Sequence, residues 1–123
     1  MKICVAGDSG LLGQAVVQFI AGQKGHRVLG FSTSPFQGTP FWKPLVSPYE
    51  HRCCRLPEET AEVSGWFREF PPDILINAIA WADIKDCEEN PAAAQTMNAE
   101  VPEFLARAAR ENGMAFIKIP FVG

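Results

Sequence analysis

Several features that would place this 123-residue sequence in another class of protein are absent. No apolar run reaches the roughly 18 residues that a membrane-spanning helix needs, so we expect none. The formal net charge is only −3, which gives no indication of a nucleic-acid or anionic-membrane partner. A glycine loop begins at Gly7, where a signal peptide would still be apolar, so we expect a cytoplasmic protein.

The cysteines are few and lack the spacing of a disulfide framework or a metal site. Cys4 falls in a predicted core strand, and Cys53 and Cys54 are adjacent residues, which rarely bridge each other. Together with the isolated Cys87, they indicate reduced thiols, as in cytoplasmic proteins. A structural zinc site would show paired Cys-x-x-Cys or His spacing, which His51, Cys53 and Cys54 do not provide. We therefore predict no metal site.

The sequence does contain a regular alternation of short apolar segments with amphipathic ones. The apolar segments predict strands at 2–6, 27–31, 52–56, 73–78 and 115–119, and the amphipathic ones predict helices at 11–23, 57–70 and 91–112. Strands that are apolar along their length are typical of a parallel sheet covered on both faces. Right-handed crossovers then predict a three-layer α/β, Rossmann-like, doubly wound parallel sheet of five strands in the order 3-2-1-4-5. The length suits a single domain, 1–123.

One segment, about 32–51, departs from this alternation because prolines recur through it. Proline at this density forbids a continuous helix and disfavours a central strand. We predict a long irregular loop with a short extended piece around 41–46. Loops of this length in compact domains are usually functional or mobile.

The most informative motif joins the first predicted strand to the first helix. It reads Gly7-Asp-Ser-Gly10-Leu-Leu-Gly13. Gly7 permits a tight turn, Gly10 lets the backbone approach a phosphate, and Gly13 lets the helix pack close to the sheet. The free N–H groups at the start of the helix would face an anion. This context predicts a dinucleotide-binding loop, and the alternative is a tight strand-to-helix turn with no ligand.

The residues after the second strand bear on which dinucleotide is bound. Ser32, Thr33 and Ser34 offer no carboxylate for the ribose hydroxyls of NAD. Their hydroxyl groups suit a 2′-phosphate, and Arg52 or Arg55 of strand three is expected to reach it. This favours NADP(H) over NAD(H). The alternative is that the serines and threonine simply begin a loop.

Three further segments carry a family resemblance. They are Asp73-Ile-Leu-Ile-Asn-Ala-Ile-Ala-Trp-Ala-Asp, Cys87-Glu-Glu-Asn-Pro91 and Met97-Asn-Ala-Glu-Val-Pro102. With the glycine loop, they resemble the extended short-chain dehydrogenase/reductase family, and within it the dTDP-4-dehydrorhamnose reductases and the related regulatory β subunit of methionine adenosyltransferase. The similarity covers nearly all of the chain apart from the proline-rich loop. It implies the NAD(P)-binding, N-terminal half of an oxidoreductase.

The resemblance implies a role for each part of the cofactor site. The glycine loop would cradle the pyrophosphate, and Arg55 and Leu56 would lie near the adenine. The segment 77–80 would pass beside the nicotinamide ribose, with Trp81 near the substrate mouth and Asn98 supporting the active-site region. Including Ser32, the residues expected to bind the cofactor are Gly7, Ser9, Gly10, Leu11, Leu12, Gly13, Ser32, Arg55, Leu56, Asn77, Ala78, Ile79, Ala80, Trp81 and Asn98.

Some of these residues also have structural interpretations. Asn77 would cap the end of strand four through a side-chain hydrogen bond. Trp81 would be a packing aromatic. Asn98 would either face solvent or, if buried, bridge to strand four, because a buried amide needs partners.

The catalytic residues of the family are missing from this sequence. The resemblance implies a Ser or Thr after strand five and a Tyr-x-x-x-Lys pair, whose tyrosine passes a proton to the substrate carbonyl. Tyr49 is the single tyrosine, Cys53 follows it four residues later, and Pro120 occupies the Ser/Thr position. We therefore expect a truncated, degenerate or naturally short protein that binds the cofactor and does not catalyse alone.

Two other functions stay open. In a non-catalytic regulatory or interaction module, the nucleotide site would be vestigial, and a homodimer or partner chain would use the uncovered edge at strand five or the Phe41-Trp42 loop. Alternatively, another chain would supply the Tyr and Lys of an active reductase.

Overall fold

The computed structural model describes residues 1–33, 43–79 and 89–119, without the side chains at positions 93, 94, 97 and 98. Several residues named above lie outside the described residues: Ser34, Phe41, Trp42, Ala80, Trp81, Cys87 and Pro120. The expectations for these positions stay predictions.

Strands and helices alternate along the described ranges. The strands are β1 (Lys2–Ala6), β2 (Arg27–Ser32), β3 (Tyr49–Cys53), β4 (Ile74–Asn77) and β5 (Ala115–Lys118). The helices are α1 (Leu11–Ala21), α2 (Thr60–Glu69), α3 (Pro91–Gln95) and α4 (Val101–Glu111), with a π-helical turn (Thr96–Glu100) between the last two. None of the helices in these ranges is long and apolar enough to cross a membrane.

The strands form one parallel sheet in the order β3-β2-β1-β4-β5, which confirms the predicted topology. β1 lies at the centre, where Val5 pairs with Gly30 on β2 and with Ile76 on β4. A central parallel strand is covered on both faces, which explains why consecutive residues of β1 are buried. Because the strands all run the same way, their carboxyl ends meet at one edge of the sheet.

The third strand begins earlier than predicted. β3 starts at Tyr49 and pairs with 28–32 of β2, so the predicted start at Arg52 and the irregular loop through His51 are wrong. β3 is an edge strand, and it is mainly polar because an edge strand contacts one neighbour and meets solvent on its other side. Tyr49 and His51 therefore have positions fixed by strand pairing.

The helices also differ in detail from the prediction. α2 begins at Thr60, after a turn in which the Glu59 N–H bonds to the Arg55 carbonyl at 2.8 Å. The predicted helix over 91–112 contains the π-helical turn directly before Val101–Glu111. Pro102 explains the irregularity, because proline has no N–H to continue the ladder to the carbonyl four residues earlier.

The core lies on both faces of the sheet. On one face, α2 and α4 pack around Phe31, Phe67 and Leu105, all of them at most 1% exposed. On the other face, α1 packs through Val17 against Val5, and both are fully buried. Both clusters include residues of β1 and β2, so these strands are held from both faces. This fixes the strand ends that lead into the glycine loop and into the residues after β2.

The second face is only partly covered by the described elements. An apolar groove runs between α1 and β5, and we call it the α1/β5 groove. Phe19 is 72% exposed and Ile117 is 47% exposed along it. Its lining residues are Ala15, Val16, Phe19, Ile20, Ile76, Ile117 and Ile119.

Candidate functional site

A cleft of about 240 Å³ opens at the carboxyl ends of the strands. From β1 the chain continues to β2 and β3 on one side and later to β4 and β5 on the other. The cleft lies at this switch point, which is the usual ligand position in an open α/β sheet. Its walls come from the glycine loop, the end of β2, and the segments after β3 and β4. The lining residues are Gly7, Ser9, Gly10, Phe31, Ser32, Thr33, Cys54, Leu56, Ala78 and Ile79.

The three positions of the loop are occupied by glycine for different structural reasons. Gly7 has a positive φ of +83°, and a Cβ there would lie 2.9 Å from the backbone nitrogen of Ile79. A Cβ at Gly13 would lie only 1.8 Å from the Gly7 carbonyl oxygen. At Gly10, by contrast, the nearest atom would be 3.6 Å away, which is ordinary contact. The fold itself therefore requires Gly7 and Gly13, whereas Gly10 keeps one side of the cleft open.

The start of α1 presents backbone donors beside this opening. Gly10 is the N-cap without a side-chain cap, and the first intrahelical bond runs from the Gln14 N–H to the Gly10 carbonyl at 2.9 Å. The amides of Leu11, Leu12 and Gly13 precede that bond, and the first turn has no acidic residue. The Leu11 and Leu12 side chains point out to solvent, 92% and 44% exposed, so these residues offer the cleft their amides only. Such a helix start favours an anion.

At the end of β4, Asn77 holds the backbone that forms one wall. It is fully buried, and its Oδ1 accepts a hydrogen bond from the Ile79 N–H at 3.0 Å. This is the capping bond that the sequence suggested. Asn77 does not line the cleft, but Ala78 and Ile79 do. Its Nδ2 is buried without a hydrogen-bond partner among the residues that the structure describes.

After β3, the structure separates two residues that the sequence grouped. Leu56 lines the cleft and is 5% exposed. Arg55 is exposed outside it, and its backbone N–H donates to Glu59 Oε1 at 2.8 Å. Arg52 is engaged elsewhere, with Nε 3.2 Å from Glu50 Oε1. Of the two arginines considered for a 2′-phosphate, neither lines the cleft.

Two lining residues were missed as site residues, Phe31 and Cys54, whereas Thr33 had been considered with Ser32 for a 2′-phosphate. The available signal was that residues at and just beyond the ends of neighbouring parallel strands meet at one crevice. Burial, reinforced by Glu59 and Glu62, raises the pKa of the Cys54 thiol to about 11. Cys54 is therefore protonated at neutral pH and contributes a small neutral surface.

Asn98 belongs to the π-helical turn, and its side chain lies outside the described part of the chain. Its predicted role is neither met nor contradicted by the backbone. Within the described ranges, no group of three His, Cys, Asp or Glu side chains is arranged to hold a metal ion.

A buried acidic residue in the glycine loop is the largest feature that the sequence reasoning missed. The Asp8 side chain is fully buried, and its Oδ2 accepts hydrogen bonds from the Tyr49 hydroxyl at 2.5 Å and from His51 Nδ1 at 2.7 Å. Burial, with Asp8 alongside, raises the pKa of Tyr49 above its usual range, so its hydroxyl remains a donor. A signal was present: glycine within a strand, here Gly30, marks a close approach.

Gly30→Ala is expected to lower the free energy of unfolding by about 2 kcal/mol through overpacking. Its Cβ would lie 2.1 Å from Asp8 Oδ2, which is held by Tyr49 and His51. The matched control is Gly65→Ala within α2, where the nearest atom would be 3.9 Å away. That variant should gain about 1 kcal/mol from helix propensity. Urea denaturation measures both, and equal stabilities would contradict the tight contact at position 30.

Comparison with known proteins identifies one family model and one curated relative that match nearly the whole chain. The family model described as RmlD substrate binding domain matches residues 1–120. The probable low-salt glycan biosynthesis reductase Agl14 of Haloferax volcanii is 30% identical over 119 residues, which cover 95% of this chain and 36% of that protein.

Solved structures agree on the fold. A hypothetical dTDP-4-dehydrorhamnose reductase from Sulfolobus tokodaii superposes with a TM-score of 0.74 at 23% identity, over 96% of this chain and 38% of the other. UDP-glucose 4-epimerase from Brucella ovis, in complex with NAD, gives a TM-score of 0.75 at 18% identity, over 95% of this chain and 34% of the other. The chain thus spans about a third of the length of these relatives.

Proposed function

This chain belongs to the RmlD substrate binding domain family, and from that premise we propose that it binds an NAD(P) dinucleotide in the cleft beside the glycine loop. The observation that carries the proposal is the contrast within the loop. Gly7 and Gly13 are required by close contacts within the protein itself, whereas a Cβ at Gly10 would make only an ordinary contact, 3.6 Å from the Gly7 carbonyl oxygen. Gly10 is the position at which a missing side chain serves a ligand, beside a helix start with uncapped amides.

The chemistry of the lining supports this ligand. Within the described ranges, no acidic side chain is among the lining residues, which suits a pyrophosphate. Phe31, Leu56 and Ile79 provide apolar surface for a base or ribose ring. At about 240 Å³ the cleft is smaller than a typical pocket for a whole cofactor, so it encloses part of a dinucleotide.

The end of β2 favours NADP(H) over NAD(H). Ser32 and Thr33 line the cleft where an acidic residue would bind the ribose hydroxyls of NAD. Two hydroxyl groups suit the oxygen atoms of a 2′-phosphate better than a carboxylate does. Arg55 is exposed next to the lining residue Leu56 in the sequence. Its guanidinium group can add a positive charge to attract the 2′-phosphate.

The chain is proposed to bind the cofactor without reducing a substrate by itself. Tyr49 is the single tyrosine, and its hydroxyl is bound to the buried Asp8. Its raised pKa and fixed hydrogen bond make it a structural donor. A reductase reaction of the type named for the relatives would therefore need a proton donor other than Tyr49.

Titration with NADPH and NADH, followed by cofactor fluorescence or calorimetry, tests the proposal. We expect saturable binding of NADPH with a Kd well below 1 mM. A Kd of 1 mM corresponds to a binding free energy of about −4 kcal/mol, so the expected binding is stronger than that. We expect weaker binding of NADH. Failure of both cofactors to bind at millimolar concentration would refute the proposed function, and tighter binding of NADH would refute the NADP preference alone.

A second function, as an interaction module, is favoured by the α1/β5 groove. Phe19 and Ile117 expose apolar surface there, next to β5, which is one of the two edge strands of the described sheet. A homodimer or a partner chain would cover this face. Light scattering separates the two functions: a monomer that binds NADPH supports the first, and an oligomer that binds neither cofactor supports the second.

A further inference from the structure

The buried carboxylate of Asp8 connects two parts of the molecule that are not neighbours in the sheet. Asp8 follows β1, whereas Tyr49 and His51 belong to β3, and β2 lies between these strands. Gly30 of β2 pairs with Val5 on one side and with His51 on the other. Because Gly30 has no side chain, the Asp8 side chain passes over β2 at this point and reaches β3.

The two ends of this connection stand next to opposite walls of the cleft. On the β1 side, Asp8 sits between Gly7 and Ser9, both of which line the cleft. On the β3 side, the strand that carries Tyr49 and His51 leads directly into Cys54 and Leu56, which line the other wall. Hydrogen bonds from Tyr49 and His51 of β3 to Asp8 therefore fix the glycine loop relative to the far wall.

We propose that Asp8 is a positioning residue for the dinucleotide: by accepting hydrogen bonds from Tyr49 and His51, it sets the spacing of the two cleft walls and hence the affinity for NADPH. The proposal rests on the proposed function. Asp8 itself is fully buried and acts through the backbone on either side of it. Nothing in the sequence resemblance assigns it a role.

The hydrogen-bond acceptor, and not the negative charge, is the property that matters. Both donors bond to Oδ2, while Oδ1 is buried without a partner among the residues described. An asparagine whose carbonyl oxygen takes the Oδ2 position accepts the same two bonds. A buried carboxylate next to the loop also opposes a bound pyrophosphate, so its neutralisation does not weaken binding. The amide is thus a conservative replacement, and alanine is not.

Titration of the full chain with NADPH tests this with three variants. We expect Asp8→Ala to raise the Kd about tenfold, because the bridge to β3 is lost. For Asp8→Asn, the Kd should stay within about threefold of the parent value or fall below it. A tenfold increase in Kd would require the loss of about one net hydrogen bond, and this variant keeps both. Tyr49→Phe, which removes one donor, should fall between them.

A control separates positioning from general loss of stability. Ile3→Val removes one buried methylene group at the opposite end of β1 from the loop, and should lower the melting temperature without changing the Kd. If Asp8→Ala does not fold, the comparison of Tyr49→Phe with Asp8→Asn decides, because only the former loses a bond to β3.

The outcomes distinguish the two proposals. If the parent binds NADPH and Asp8→Ala binds it equally well, the positioning role is wrong and the proposed function stands. If Asp8→Asn is as weak as Asp8→Ala, the charge matters and the acceptor geometry does not, which also overturns the inference. If the parent binds neither NADPH nor NADH, the proposed function fails, and the positioning role fails with it.

Discussion

Replacing Gly13 with alanine is expected to lower the free energy of unfolding by more than about 4 kcal/mol, a loss large enough to leave much of the protein unfolded. The new Cβ would lie 1.8 Å from the Gly7 carbonyl oxygen and 2.9 Å from the Asp8 Cα. Both atoms belong to the backbone, so no side-chain rotation relieves the clash. Either α1 moves off the sheet or the glycine loop deforms.

Urea denaturation followed by circular dichroism measures this effect. Gly65→Ala is again the matched control, because it makes the same chemical change in a helix where the nearest atom would be 3.9 Å away. A Gly13→Ala variant within about 1 kcal/mol of the parent would show that α1 does not pack against the loop as described.

Replacing Gly10 with alanine is expected to have the opposite profile: a folded protein that no longer binds the cofactor well. Its Cβ would be 3.6 Å from the nearest protein atom, and its backbone, at φ −73° and ψ 166°, suits alanine. We expect a stability change below about 1 kcal/mol, from the poorer N-cap. In the cleft, however, the methyl group would occupy the space of a phosphate, and we expect a Kd for NADPH raised about 100-fold, or about 2.7 kcal/mol.

The control for this variant is Leu11→Ala, the adjacent residue. Its side chain is 92% exposed and outside the cleft, so only its amide is available to a ligand and the Kd should not change. Cofactor titration measures the Kd for NADPH, and a parallel denaturation curve measures the free energy of unfolding. A Gly10→Ala variant that binds NADPH like the parent would place the pyrophosphate somewhere other than this loop.

The sheet and the loop could be predicted from the sequence because both depend on local patterns. Consecutive apolar residues such as those of β1 predict a buried parallel strand, and the strand order follows from the handedness of the crossovers. The family resemblance, and not the strand pattern, gave the expectation that Leu56, Ala78 and Ile79 bind the cofactor, and all three line the cleft. Arg55, which the resemblance put near the adenine, is exposed and is not among the lining residues, so its contact with the cofactor stays a prediction.

The remainder could not be predicted because it depends on contacts between distant residues. The polar sequence of β3 gives no buried-strand pattern, since hydrogen bonds to one neighbour hold it at the edge. The hydrogen bonds that Tyr49 and His51 donate to Asp8 join residues 41 and 43 positions apart in the sequence. Their donors lay in a segment where proline dominates the local signal, so the partners of Asp8 were hidden in a predicted loop.

The passage of Asp8 over Gly30 makes these two positions a single steric unit, with a consequence for how the sequence can change. A Cβ at position 30 would lie 2.7 Å from the Cβ of Asp8, so even alanine at position 8 would collide with it. Substitutions at the pair are therefore ordered: a side chain becomes tolerable at position 30 only after position 8 has become glycine. Related chains should carry a side chain at one of these positions or at neither, and chains with a residue larger than glycine at position 30 must tie the loop to β3 by some other contact.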